Sequence, residues 1–356
     1  MISQATLYRM SEYAILVYPS ANRVYTDSTP ALLRAELAVF GLSALETEVS
    51  EIGETELGGV GYLTFTTPAP LSERDLALLS NLSALYALFE RGDGVLKPVT
   101  ISPLANFDSD LLTIQKYPGK TNELFTKLLV NVTLLATADP AAMLEQPLHL
   151  LDPLCGRGTT LNQAMMYGFD ATGLDVDGKD FDSYELFIKT WLKQKRVKHS
   201  AETGQVRRNK VRLGRRLDIG FGITKERYKA GEVRKLSYLN CDTLTTDELL
   251  RPNSVDLIVT DAPYGVQHGS HRTQDASLAR SPQDLLAAAV PVWTRVLRPG
   301  GALGISWNTN VAPREELAAI LGKAGLEVRE DGPFAEFSHR VDQAIVRDLI
   351  VAAKPA

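Results

Sequence analysis

Cysteine is scarce in this chain of 356 residues: Cys155 and Cys241 are the only two. That scarcity excludes a disulfide-built scaffold and a cysteine-rich metal site, and it predicts a reducing, cytoplasmic setting. Histidine is also rare, at five residues. His268 and His271 are spaced too loosely for a metal pair, so no metal is expected. No apolar run reaches the length of a membrane span, so no membrane is expected either. The opening residues, MISQATLYRMSEY, lack the basic start and apolar stretch of a secretory signal. What remains is ordinary globular material, with 44% hydrophobic and 23% charged residues. The length allows one large or two ordinary domains.

An excess of one charge is missing as well, since the net charge is only −5. The average conceals a division. Met1 to Pro118 holds seven basic and fourteen acidic residues, a difference of −7. Lys189 to Lys235 holds sixteen basic and four acidic residues, a difference of +12. The basic block includes Arg207, Arg208, Lys210, Arg212, Arg215 and Arg216, with Phe221, Tyr228 and Tyr238 nearby. Basic residues with occasional aromatics can track a phosphate backbone and stack on bases. The plainer reading is a solvated loop, as charge runs usually are.

The organising stretch is PLHLLDPLCGRGTTLNQAMMYGFDATGLDVD, Pro147 to Asp177. It reads as strand, glycine loop, helix and strand. Leu148, Leu150 and Leu151 lead to Asp152 and Pro153. Gly156 and Gly158 make the turn, where a side chain of one hydrogen lets a ligand approach the backbone. Thr159 and Thr160 are placed to cap the helix, and Gly168 to close it. The second strand ends at Asp175, where an acid can take the two hydroxyls of a ribose. The unit therefore predicts a nucleoside-type cofactor. A dinucleotide fingerprint would need a third glycine where Leu161 stands. Cys155, inside the loop, reads as a small filler of the turn rather than a nucleophile.

A later stretch, DLIVTDAPYG from Asp256 to Gly265, delivers Asp261, Ala262, Pro263 and Tyr264 to the carboxyl end of an apolar strand. Ligand sites of α/β folds lie there. Read alone, the four residues also fit a strand-ending turn. A carboxylate and a carbonyl fixed by Pro263 could accept both hydrogens of an exocyclic amine, while Tyr264 offers a flat face to an extruded base.

DPLCGRGTT, GLDVD and TDAPYG, in that order, resemble the S-adenosylmethionine-dependent amino-methyltransferases with a D/N-P-P-Y/F motif. VTDAPYGVQHG is most similar to the tRNA guanosine N2-methyltransferases whose motif is DPPYG. The resemblance runs from about Tyr117 to Gly301 and is faint before that. It departs at Ala262, where the family has the first proline. It implies an α/β fold, a Rossmann-like class I methyltransferase sheet with a smaller N-terminal α/β domain. The domains implied are 1–105, a substrate adaptor or a packing module; 106–146, a linker with a cofactor-covering helix; and 147–356, the methyltransferase domain with a basic insertion at 193–235.

The resemblance further implies S-adenosylmethionine as cofactor and RNA, specifically tRNA, as partner, with Asp261, Pro263 and Tyr264 carrying the chemistry. It places Lys120, Thr121 and Asn122 over the methionine end of the cofactor, although these three also fit a plain helix cap. Asp152, Pro153, Gly156, Gly158, Thr159, Thr160, Asp175 and Asp261 complete the cofactor set. Asp242 is expected to read the adenine amino group. The alternatives are a DNA adenine or cytosine amino-methyltransferase, and a relative that binds RNA without turnover. Oligomeric state is not legible.

Among the other elements, the sequence predicts a single helix from Ser72 to Phe89 and reads His339 and Arg340 as a pair that could touch substrate but fits a plain surface location better. It predicts a closing pair of strands at Leu326 to Arg329 and Ala344 to Ala352. An antiparallel final strand would mark the sheet as methyltransferase-like rather than dinucleotide-like.

Overall fold

The computed structural model describes residues 10–19, 23–208, 210–262 and 282–356. The chain opens on a five-stranded antiparallel sheet. Its elements are β1 (Ser11–Val17), α1 (Arg23–Ser43), β2 (Ser50–Leu57), β3 (Val60–Thr67), α2 (Glu73–Leu79), β4 (Leu85–Gly92) and β5 (Val95–Val99). The strand order is β2-β3-β1-β4-β5. Asp93 and Gly94 both take positive φ between β4 and β5. That is the two-residue hairpin geometry whose twist suits paired strands.

The helix expected from Ser72 to Phe89 is thus a helix and a strand. Ser72 caps α2 through its side chain to the Asp75 N–H. The helix ends where the Ser80 hydroxyl bonds back to the Leu76 carbonyl and Asn81 to the Ala77 carbonyl. Side chains that offer the backbone such local partners compete with helix continuation. Leu85–Gly92 then pairs with β1 on one side and β5 on the other.

A connecting segment follows, with α3 (Asp110–Thr113), α4 (Glu123–Leu135) and α5 (Ala142–Glu145). The second sheet begins with β6 (His149–Asp152), α6 (Thr159–Tyr167), β7 (Asp170–Leu174) and α7 (Gly178–Gln194). Next come β8 (His199–Arg208), β9 (Val211–Phe221), α8 (Lys225–Lys229), β10 (Arg234–Asn240), α9 (Thr246–Leu249) and β11 (Val255–Asp261). The chain ends with α10 (Pro282–Val296), β12 (Leu297–Asn308), α11 (Arg314–Lys323), β13 (Glu327–Val328), β14 (His339–Arg340) and β15 (Val346–Ala353).

The strand order of this sheet is β13-β15-β12-β11-β6-β7-β10-β9-β8. The five central strands are mutually parallel. β15 runs antiparallel to β12, the expected mark of a Rossmann-like class I methyltransferase sheet. The basic block is not an irregular loop. It is the hairpin β8–β9, which adds two antiparallel strands beyond β10.

Both faces of the central strands are covered, so they read as continuous apolar runs. Leu150, Leu257 and Val351 join one core with α4, α6 and α7, while Leu151, Ile258 and Ile350 join another with α10 and α11. The first core also contains Ile15, Leu33, Phe65 and Leu88 of the N-terminal sheet. A polar knot crosses the same boundary. Buried Glu36 of α1 accepts from the Ser83 N–H at 2.9 Å and from Asn131 Nδ2 of α4 at 2.7 Å. Burial pushes the Glu36 carboxyl up, against the pull of Asn131 and Ser83. It pushes the nearby Lys127 ammonium down to about 8.

Candidate active site

Strand sequence reverses direction between β6 and β11, which are neighbours in the sheet. Ligands of open α/β sheets bind outside the carboxyl ends of strands at such a switch point. The loop after β6 is the glycine loop, and β11 ends at Asp261.

The loop has a specific frame. Gly156 and Gly158 take φ of +48° and +76°. A Cβ at Gly158 would stand 2.3 Å from the Tyr184 ring, so that position admits only glycine. At Gly156 the space is open, with Asp180 alone within 4 Å of a Cβ. The Tyr238 hydroxyl donates to the Gly156 carbonyl at 2.6 Å. Gly158 is the N-cap of α6 and gives no side-chain cap, so Thr159 and Thr160 are the first helical residues rather than caps. Pro153 is buried beside Asp152. The Asp152 carboxylate turns inward to the Leu154 N–H at 3.1 Å. Burial pushes its carboxyl up to about 7, opposed by the Thr160 hydroxyl and the Leu154 N–H. Cys155 is buried, and burial holds its thiol protonated, as a filler would be.

Asp175 stands at the end of β7. Its Oδ2 accepts from the Gly156 N–H at 2.9 Å and its Oδ1 from the Asp177 N–H at 2.8 Å. Burial pushes its carboxyl up, opposed by those two N–H groups. At the end of β10, Asn240 Nδ2 donates to the Asp175 carbonyl at 2.9 Å. Asp242 is exposed and caps the following turn through the Leu244 N–H. Asn240, rather than the expected Asp242, is the residue at this strand end that is tied to Asp175. An amide at the end of a third parallel strand was the available signal.

The segment before the glycine loop lies across it. Tyr117 places its hydroxyl 3.2 Å from Thr159 Oγ1, and the Arg157 guanidinium lies 4.7 Å over its ring. No periodicity singles out Tyr117. Lys120 turns away, to the Leu112 carbonyl at 2.6 Å. Asn122 caps α4 through the Leu124 N–H at 2.8 Å. Thr121 reaches the other strand end, and its hydroxyl donates to Asp261 Oδ2 at 2.5 Å.

Asp261 Oδ1 accepts from the Ser306 hydroxyl at 2.8 Å. Ser306 is the register partner of Asp261 on β12. The Arg347 guanidinium, on β15, lies 3.7 Å from Asp261 Oδ2 and 4.5 Å from the Phe125 ring. Its side chain is 6% exposed and that of Asp261 is 19% exposed. His339 is the register partner of Arg347. It is buried against Phe125 rather than on the surface, with Nδ1 2.9 Å from the Phe337 carbonyl. Burial pushes the imidazole down to about 4. Ser306 and Arg347 were not legible as site residues, because both come from strands far along the chain.

Ala262 has a structural reason. Its N–H donates to the Ser306 carbonyl at 2.8 Å and extends the β11–β12 ladder by one step. A proline has no such donor. Pro263 and Tyr264 lie outside the described residues.

The basic residues divide. Arg215 is anchored, with ion pairing to Asp182 at 2.6 Å, a bond to the Gly178 carbonyl, and its guanidinium 4.5 Å over Phe181. Arg216 pairs with Asp218 and Arg208 with the α9 residue Glu248. Arg207 bonds to Gln205. Lys210 and Arg212 are exposed at the hairpin tip, and among the described residues neither has a carboxylate within 4 Å.

The strand ends and the glycine loop carry residues with the chemistry to hold S-adenosylmethionine. Gly156 leaves its approach open, Asp175 closes the second strand, and Asn240 and Asp242 close the third. Among the described residues no group of His, Cys, Asp and Glu could hold a metal ion, and no helix is long and apolar enough to cross a membrane.

Residues 140–298 match the UPF0020 family model, described as RMKL-like, methyltransferase domain. No curated protein sequence matches the chain. Among solved structures, it is similar to a TehB-like SAM-dependent methyltransferase from Corynebacterium glutamicum, at 14% identity and a TM-score of 0.34 over 60% of this chain and 85% of that one. It is similar also to a Burkholderia thailandensis 1,6-didemethyltoxoflavin-N1-methyltransferase, at 16% identity and a TM-score of 0.34 over 60% and 74%. Similarities this distant say nothing of substrate. The family match supports an S-adenosylmethionine-dependent methyltransferase domain over that span, with S-adenosylmethionine as its cofactor.

Proposed function

We propose that the chain moves a methyl group from S-adenosylmethionine to an exocyclic amine of a nucleobase, N2 of guanosine in tRNA. One observation carries this reading. The Asp261 carboxylate, at the end of β11 beside the glycine loop, is held by hydroxyls on both oxygens. Hydroxyls on both oxygens hold the carboxylate in one orientation at the strand end, as a group that positions an amine must be.

In this reading Gly156, Gly158, Thr159 and Thr160 form the floor of the cofactor site, and Asp152 with Pro153 braces it from below. Asp175 takes the ribose hydroxyls, while Asn240 and Asp242 face the adenine. Thr121 stands on the methionine side, while Lys120, bonded to the Leu112 carbonyl, and Asn122, capping α4, shape the segment that carries it. When bound, the cofactor supplies a methyl group on a sulfonium sulfur, already a strong electrophile. Asp261 and the carbonyl fixed by Pro263 accept the two amine hydrogens. The amine then loses conjugation with its ring and turns its lone pair to the methyl. Tyr264 stacks on the base. The methyl would pass from sulfur to the amine nitrogen, with S-adenosylhomocysteine as the leaving group and the amine proton released to solvent. The work of the chain is chiefly positioning, worth roughly 7–11 kcal/mol in favourable cases. Arg347 and Ser306 hold Asp261 in place. The exposed tip of β8–β9 supports RNA as partner, and residues 1–105 would serve as the adaptor.

The test is transfer of labelled methyl to total tRNA and to DNA in parallel, followed by digestion to nucleosides. Label in N2-methylguanosine is the expected result. Label confined to DNA adenine or cytosine would overturn the substrate.

A further inference from the structure

The hairpin separates the basic block into two patches. The tip, around Lys210 and Arg212, stands where Arg208 pairs with Val211 across the turn. The base stands where His199 pairs with Phe221. Nine residue steps of β8 at about 3.3 Å each put the two ends roughly 30 Å apart.

The base is more than a run of charge. A cleft of about 250 Å³ opens there, lined by Arg196, Lys198 and Lys225 together with Phe107, Trp191 and Gly222. Asp108 also lines it, and Lys195 pairs both with Asp108 at 2.7 Å and with Asp110 at 2.6 Å, one cation for two carboxylates. Arg196, Lys198 and Lys225 are exposed, and among the described residues none has a carboxylate within 4 Å. Lys195, Arg196, Lys198 and Lys225 set against Asp108 and Asp110 leave an excess of two positive charges at the cleft, which raises the local anion concentration. Between the patches, the outer strand β8 exposes Ser200, Thr203, Gly204 and Gln205, with a single carboxylate, Glu202. Contact with a polyanion therefore belongs at the two ends and not along the strand.

We propose that the β8–β9 hairpin binds structured RNA at two separate phosphate sites, the tip beside the cofactor cleft and the cleft at its base. The partner is an RNA long enough to span both. This rests on the reading of the chain as an RNA methyltransferase and adds the base cleft to it.

The experiment measures affinity for tRNA, for an RNA oligonucleotide shorter than about 30 Å and for duplex DNA, over a range of salt. Three proteins are compared: the parent, a tip variant (Lys210→Glu with Arg212→Glu) and a base variant (Arg196→Glu, Lys198→Glu and Lys225→Glu). Matching melting temperatures show that the variants fold. Each lost phosphate contact is expected to lower the slope of log affinity against log salt by about 0.7–0.9. On tRNA both variants should lose slope, and the short RNA, which reaches one site at a time, should lose less than tRNA with either variant. A base variant that keeps the parent slope on tRNA overturns the second site and leaves the function reading standing. Equal binding of duplex DNA overturns RNA as the partner. A parent with no salt-dependent affinity for RNA overturns the function reading and this inference together.

Discussion

The Thr121 hydroxyl donates to Asp261 Oδ2 at 2.5 Å, across 140 positions of sequence. It joins the segment that crosses the glycine loop to the strand end where the transfer is placed. Removing a neutral donor from a carboxylate costs about 1.5–3 kcal/mol, which is roughly 10- to 100-fold in rate. Thr121→Val should therefore lower kcat by that range and leave the cofactor Kd within a few-fold. A matching loss of cofactor affinity would place the role of Thr121 on the cofactor instead of on Asp261.

Arg347 approaches the same oxygen from β15 and lies over Phe125. Arg347→Met keeps bulk over the ring and deletes the charge. The prediction is a drop in kcat of at least about tenfold, with partial recovery in Arg347→Lys. Two variants of equal activity would contradict a role for the charge.

Ala262→Pro restores the proline of the D-P-P-Y pattern, yet it removes the N–H that donates to the Ser306 carbonyl. A lost ladder bond and an unpaired carbonyl cost about 1–3 kcal/mol. The melting temperature should fall by several degrees, as read by calorimetry. An unchanged value would mean that the chain bends away before Ala262 and needs no donor there.

Asp152 predicts a pH effect on stability. Its folded carboxyl is pushed up to about 7 by burial, from an ordinary 3.8. Below pH of about 4 both states hold the proton, and no penalty exists. As pH rises toward 7 the unfolded chain ionises first, so folding loses stability through that window. The full difference is about 4 kcal/mol. Asp152→Asn removes the titration, so its stability relative to the parent should improve between pH 4 and 8 in denaturant titrations. A gap that does not change with pH would remove Asp152 from this account.

The parts of the site nearest in sequence were legible. Gly156, Gly158 and Asp175 fall within one strand–loop–helix–strand unit, and local periodicity places them. Ser306 and Arg347 were not, because register across β11, β12 and β15 brings them to Asp261. Leu85, Leu88 and Phe89 satisfy helical spacing as well as a strand, and sheet pairing on both sides decides between them. The Asp93–Gly94 hairpin turn was the overlooked sign. The basic block misled through its charge. Leu217, Ile219 and Phe221 alternate with Arg216, Asp218 and Gly220, and that period of two is a strand.

The most direct measurement pairs calorimetric binding of S-adenosylmethionine with labelled transfer to tRNA, for the parent and for Asp261→Ala. The variant should bind cofactor nearly as the parent does and transfer no methyl. Equal loss of binding and transfer, or transfer that survives, would contradict the role assigned to Asp261.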